Sequence, residues 1–261
     1  MNDFKTFDRN SIPIWRDWAN PNNTFLSIKG YAEFCDVLTL HHLDKIIESE
    51  GAAVEIGVHH GRYSAAMNYF PKNTKLYAFD IWNEPLQNTG PTQCGTNEML
   101  TFQTEMNRKA RFPERIVATQ INSFMNKRKI VDIIKEPVRI FHVDGGHDVR
   151  HVLNDLSIAD EVMAEDGVVI IDDFFNMSFP GITEAVYLYL QKRGPMIPFL
   201  QIGWKLFLCS QYKHLQYRDY WVEYNNNPES VALGKNFIND VDVAEYRIPI
   251  YAKMGLGFTV R

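Results

Sequence analysis

"VRIFHVDGGHDVRHVLNDLSIADEVMAEDGVVIIDDF", residues 138–174, reads as strand, helix, strand. Val149, Val152, Leu153, Leu156, Ala159 and Met163 recur at helical spacing in its middle. "VRIFHVD" and "GVVIID" on either side are short, branched and apolar, as strands buried on both faces are. A strand that returns through a helix to a second strand of the same sheet lies parallel to it. Both strands end in carboxylates: Asp144 on the first, Asp172 and Asp173 on the second.

The same unit repeats outward. "AAVEIG" is a strand followed by a helix over 60–70, "KLYAFD" a strand followed by a helix over 97–110, and "RIVATQ" a strand followed by a helix over 123–135. After "GVVIID" comes a helix near 181–193, and then "MIPFLQIG" and "WKLFLC", close enough to pair antiparallel. A helical stripe from Phe34 to Ile47, stopped by Gly51, precedes all of this. The pattern predicts an α/β fold: a doubly wound, mostly parallel sheet of about seven strands, the last pair antiparallel, with helices on both faces. Residues 1–50 are expected to form an N-terminal cap and helix, 51–210 the core and 211–261 a C-terminal extension. That extension, rich in Tyr and Trp and containing "NNNP", reads as an added subdomain or oligomer surface outside the wound sheet. The loop 81–96 has no periodicity and is long by ordinary standards, as lids and binding loops are.

The bulk numbers exclude some functions. A net charge of -5 argues against a nucleic-acid groove, and "NKRK" at 126–129 reads as a solvated helix end. The three cysteines, Cys35, Cys94 and Cys209, form no C-x-x-C and fit reduced thiols in a cytoplasm. The N-terminus lacks an apolar signal region, and no run of about 18 apolar residues is present, so no membrane association is expected.

In a doubly wound sheet, ligands bind beyond the carboxyl ends of the strands. Those ends carry Glu55, Asp80, Asn122, Asp144 and the pair Asp172–Asp173. The first turn, "VEIGVHHGRYS", is E-x-G-x-x-x-G and not G-x-G-x-x-G, which disfavours a nicotinamide dinucleotide. Gly57 and Gly61 suit a sharp turn and the close approach of a ligand. Asp80, ending the next strand, suits a carboxylate that holds two ribose hydroxyls.

These segments, with "YAFDIW", "ATQINSF", "HVDGGHDVRHVLNDL" and "GVVIIDDF", resemble the class I S-adenosylmethionine-dependent methyltransferases, which have a Rossmann-like fold. Among those the chain resembles the macrocin-type O-methyltransferases of sugars and natural products. The resemblance implies that Glu55, Gly57 and Gly61 line the methionine moiety, that Ser64 also belongs to the cofactor site and that Asp80 binds the ribose. It places Asn122 and Ser123 at the adenine and Asp144 beside the cofactor. Family members commonly carry an acid where Asn122 stands.

Asp144, Asp172 and Asp173 on strand ends expected to adjoin would repel one another, and a divalent cation would remove that repulsion. Oxygen ligands favour Mg²⁺, Mn²⁺ or Ca²⁺ over zinc, and the resembling metal-dependent methyltransferases place three aspartates at these positions. His147, three residues past Asp144, suits a general base; capping the following helix is its other reading. "HDVRH" spaces His147 and His151 like a zinc helix but lacks the glutamate. His41–His42 and His59–His60 are sequential, so their rings should diverge; the first pair reads as ordinary helix residues, the second as close to the ligand. Phe174 and Phe175 are placed to shape an acceptor pocket. Trp204 stands where the family commonly has a smaller polar residue.

The reading is therefore methyl transfer to the hydroxyl of a small molecule, possibly a sugar, by an enzyme using S-adenosylmethionine and Mg²⁺ or another divalent cation such as Mn²⁺, with self-association left open. Metal-free transfer to nitrogen or a carboxylate, and a non-catalytic cofactor-binding protein, are the alternatives.

Overall fold

The computed structural model describes residues 34–82, 98–226 and 236–252. The N-terminal cap expected before residue 31, most of the loop 81–96 and Cys94 lie outside them. The chain runs α1 (Phe34–Ile46), β1 (Gly51–Ile56), α2 (Arg62–Asn68), β2 (Asn73–Asp80), α3 (Glu98–Lys109), β3 (Ile116–Gln120), α4 (Lys127–Ile133) and β4 (Val138–Val143). It continues through α5 (Val149–Val162), β5 (Met163–Ile171), α6 (Pro180–Gln191), β6 (Met196–Ile202), β7 (Lys205–Ser210), α7 (His214–Tyr224), β8 (Asn236–Val243) and β9 (Tyr246–Ala252). Among the described residues no helix is long and apolar enough to cross a membrane.

The sheet order is β3-β2-β1-β4-β5-β7-β6-β9-β8. The first five strands are parallel, and β7 runs antiparallel to both β5 and β6. Strand order reverses between β1 and β4, the switch point where such sheets open a crevice at their carboxyl edge. Among the described residues the sheet has nine strands where about seven were expected. The tail supplies the other two: β9 adds parallel to β6, and β8 pairs antiparallel with β9. The extension thus continues the wound sheet and does not stand apart from it. Its Tyr and Trp residues gave no helix or strand period strong enough to reveal this.

Strand alternation sorts the core into two layers. Ala53, Ile140, Val168, Ile170, Phe207 and Cys209 face the layer that holds α1, α2 and α7. Val54, Phe141, Val169, Ile171, Leu206 and Leu208 face α5 and α6. "NKRK" is the N-terminal end of α4, with Arg128 and Lys129 exposed, and Lys127 pairs with Glu161 of α5 at 2.6 Å.

Two long-range clasps hold the outer elements. Arg139 on β4 is fully buried. It donates to the Ser49 carbonyl (3.0 Å), to Asp44 Oδ1 (3.0 Å) and to Asn73 Oδ1 (2.7 Å), tying the end of α1 to the sheet. On the same layer Tyr220 Oη lies 2.6 Å from His42 Nδ1, and the His42 ring lies against Tyr220, Trp221 and Tyr224. His42 is therefore a buried part of the aromatic seam between α1 and α7, not an ordinary helix residue; burial holds its pKa down at about 3, so it is neutral.

Replacing Arg139 by Met should remove the donor while leaving its acceptors buried. The expected loss is roughly 3–5 kcal/mol, as for breaking one side of a buried pair. Urea unfolding of wild type and Arg139→Met measures it; a difference under about 1 kcal/mol would show that the clasp adds little.

Candidate active site

Gly57 and Gly61 both have positive φ, 90° and 88°. A Cβ on Gly57 would lie 1.9 Å from the Asp144 carbonyl oxygen, so its bareness lets the β1 turn pass against the end of β4. A Cβ on Gly61 would meet the Phe102 ring at 2.5 Å. Both glycines answer to close approaches within the protein. His59, between them, has φ 51°, and this turn stacks the rings of His59 and His60 at 4.0 Å and 19°. These sequential rings therefore do not diverge.

Asp80 closes this loop. Its Oδ2 accepts the His59 N–H at 2.7 Å and its Oδ1 accepts the Trp82 N–H at 2.7 Å. Burial pushes its pKa up, and the two N–H groups oppose that rise. The Trp82 indole donates back to the His59 carbonyl at 2.9 Å.

Below the strand ends runs a buried polar strip. Glu55, His142, Asp172 and Lys205 each stand two residues beyond a core residue of the α1 layer: Ala53, Ile140, Ile170 and Phe207. Glu55 is opposite His142 in the β1–β4 ladder, and the β5–β7 register that pairs Ile171 with Leu206 carries Asp172 opposite Lys205. Glu55 accepts from the Ser64 hydroxyl and sits 3.1 Å from His142 Nδ1. The other ring nitrogen of His142 lies 3.8 Å from Asp172 Oδ2. Asp172 is ion-paired with Lys205 through that same oxygen. Tyr63 roofs the strip, its ring stacked on His142 at 3.9 Å and 5.1 Å from the Lys205 ammonium. Glu55 and Ser64 are therefore joined to each other and turned inward.

At the surface of the cleft stand Asp144, His147 and Asp173. One ligand atom from each lies within 4.8 Å of the others; His142, Asp144 and Asp172 meet the same condition, with Asp144 common to both sets. The Asp144 carboxyl is pushed well above the usual carboxylate range by burial and then by Asp172, with Lys205 opposing. For Asp172 burial acts upward, but Lys205 and His142 outweigh it and hold the group below its ordinary value. Asp173 has φ 57°, which swings its side chain away from Asp172 and toward His147, 3.6 Å from Nε2. His147 stacks on Phe179 at 4.1 Å. It does not cap α5: Asp148 does, accepting from the Arg150 and His151 N–H groups. His151 lies 2.7 Å from Asp148, so the "HDVRH" histidines serve different neighbours. Phe174 is buried, while Phe175 and Trp204 are exposed.

Asn122 and Ser123 lie in the β3–α4 turn. Asn122 Oδ1 accepts the Met125 N–H at 3.3 Å, and the Ser123 carbonyl accepts from Asn154 at 3.1 Å. The Ser123 hydroxyl binds Asp155, which the sequence reading missed. Asp155 falls among the apolar positions of α5, and that was its signal. It is fully buried, and burial pushes its pKa up to about 6 against the hydrogen bonds of Ser123 and Asn154. Lys205 and His142 were missed as well, although each is a polar residue on the core parity of a strand.

The pH dependence of Asp155 follows. Its native pKa is raised, so between about pH 4 and 6 the folded protein keeps a proton that the unfolded chain has released. Stability falls as pH rises through that window, by about 3 kcal/mol in all. Asp155→Asn should gain most of this on wild type at pH 7 and little at pH 4, read by urea unfolding. An equal difference at the two pH values would show that Asp155 does not titrate in the native state.

Residues 54–174 match the family model described as a methyltransferase domain. The solved structure of CalS11, described as a TDP-rhamnose 3'-O-methyltransferase, is 16% identical with a TM-score of 0.51 over 77% of this chain and 89% of that one. The O-methyltransferase NovP is 12% identical with a TM-score of 0.51, over 69% of this chain and 83% of that one. At these identities the likeness is one of fold. No curated protein matches the sequence. The match to a methyltransferase domain lies on the strands that form the switch point, where the acid cluster stands.

Proposed function

We propose that the chain transfers the methyl group of S-adenosylmethionine to a hydroxyl oxygen of a small acceptor, a sugar or another hydroxylated compound, with a divalent cation at the acid cluster. The observation that carries this reading is the convergence of Asp144, His147 and Asp173 at the carboxyl edge of the sheet. The fold shared with CalS11, whose description names a sugar acceptor, points to the same substrate class.

The residues fit a cation by their own chemistry. Asp144 is crowded by Asp172, Glu55 and Asp173, and Lys205 offsets only part of that charge. Oxygen donors suit Mg²⁺ or Mn²⁺. Asp144, Asp172 and Asp173 are the carboxylates that would hold the ion. Bound there, a divalent cation lowers the pKa of a coordinated hydroxyl and fixes its oxygen. His147 then takes the hydroxyl proton. Burial lowers its pKa, outweighing Asp173 and Asp172, so the imidazole is neutral and able to accept. The acceptor oxygen forms a bond to the methyl carbon as the carbon–sulfur bond breaks, leaving S-adenosylhomocysteine and protonated His147. In this reading Asp80 binds the ribose, Gly57 and Gly61 shape the loop over the methionine end, with Glu55 and Ser64 beneath it, and Asn122 and Ser123 flank the adenine. Lys205 favours a second reading, transfer without a metal, because it already brings a positive charge to Asp172.

Asp80→Ala should weaken S-adenosylmethionine binding by about 1.5–3 kcal/mol in calorimetry, the range for hydrogen bonds to a charged group. Unchanged affinity would leave Asp80 as a clasp between His59 and Trp82 alone.

Chelation with EDTA should abolish turnover on a hydroxylated acceptor, and Mg²⁺ should restore it; unaffected turnover would establish the metal-free reading. His147→Ala should lower kcat by roughly 10²–10⁴ with little change in cofactor or metal affinity. If the variant loses metal instead, His147 is a ligand and not the base.

A further inference from the structure

Asp172 differs from its two neighbours in what its oxygens already do. Its Oδ1 accepts the Asp173 N–H at 2.9 Å, and its Oδ2 holds the Lys205 ammonium. The pairing follows from the fold, because the antiparallel β5–β7 register brings Lys205 opposite Asp172. Lys205 is 7% exposed and lies under the Tyr63 ring, with Asp36 of α1 adding to the negative field around it. A lysine so enclosed cannot swing into solvent to vacate the carboxylate. Asp144 stands otherwise: no side chain or N–H among the described residues donates to its carboxylate. Asp173, turned by its positive φ, points one oxygen at His147 and the other at the Asn176 amide, 2.8 Å away.

We infer that Lys205 is a tethered cation that takes Asp172 out of the ion-binding set, so that the divalent cation is held by Asp144 and Asp173, with His147 beside them left to take the proton. The inference rests on the metal-dependent reading above and narrows it. A divalent ion reaching Asp172 would have to displace an ammonium that the sheet holds in place, whereas at Asp144 it meets a carboxylate to which no group among the described residues donates. Lys205 is then a positioning residue: by occupying Asp172 it directs the ion toward Asp144 and Asp173.

The test is Mn²⁺ binding by the full chain, followed by loss of the free-ion electron paramagnetic resonance signal, without cofactor or acceptor. Asp173→Asn should weaken binding by at least about tenfold, within the range for disturbing a metal site. The double variant Asp172→Asn with Lys205→Met removes the buried pair together and leaves no unpaired charge. It should bind within about threefold of wild type, because neither residue touches the ion. Lys205→Met alone frees Asp172 and should bind about tenfold tighter, an added carboxylate ligand being worth at least that much. Should the single variant not fold, shown by its circular dichroism, the double variant decides. A double variant that loses Mn²⁺ as badly as Asp173→Asn makes Asp172 a ligand and overturns the inference. So does a folded Lys205→Met that binds no tighter than wild type. If wild type binds no Mn²⁺ and Lys205→Met does, the inference stands and metal dependence of the natural protein falls. If neither binds, both fall.

Discussion

Glu55, Asp144, Asp172 and Asp173 are crowded onto the carboxyl ends of three adjacent strands, and mutual repulsion is the constraint that their surroundings satisfy. The sheet order makes the crowding unavoidable, because β1, β4 and β5 lie side by side. Three different devices relieve it. Glu55 is turned inward to Ser64 and His142. Asp172 is given an ammonium partner from the neighbouring antiparallel strand. Asp173 is rotated out by a left-handed backbone step. Asp144 has no such device, and burial first, then Asp172, pushes its carboxyl upward.

The parallel half of this architecture was legible in the sequence. Each of its strands is an apolar run bounded by turn residues, each crossover is a helix, and the handedness rule leaves few topologies. The acids at the strand ends were legible for the same reason, since a buried strand has no cause to end in carboxylates. His142 and Lys205 were hidden in plain view. Both sit within strand runs, and the period of two assigns them to the core, but it cannot say which polar residue on the next strand will meet them. That depends on the register between strands, and register is a property of the sheet.

The remainder was illegible for local reasons. The sign of φ at Asp173 and at His59 decides where the neighbouring side chains point. Asp and His take a left-handed step more often than most residues, but only in a minority of their occurrences, so the residue type does not fix it. The tail was misplaced because its aromatic residues were read as a surface. Their partners are far away in sequence: Tyr217 donates to the Asp166 carbonyl and Tyr251 to the Trp221 carbonyl, both at 2.7 Å.

That distance has a consequence in time. The contact between His42 and Tyr220 spans 178 residues. At a synthesis rate of about 5–20 residues per second, α1 has left the ribosome on the order of 10–40 s before its partner helix exists. For that interval the side of α1 that meets α7 lacks its cover. The chain is thus bound to a folding order in which the parallel strands gather first and the last helix closes the layer, and the seam between α1 and α7 is where a nascent chain would be most open to a chaperone or to aggregation.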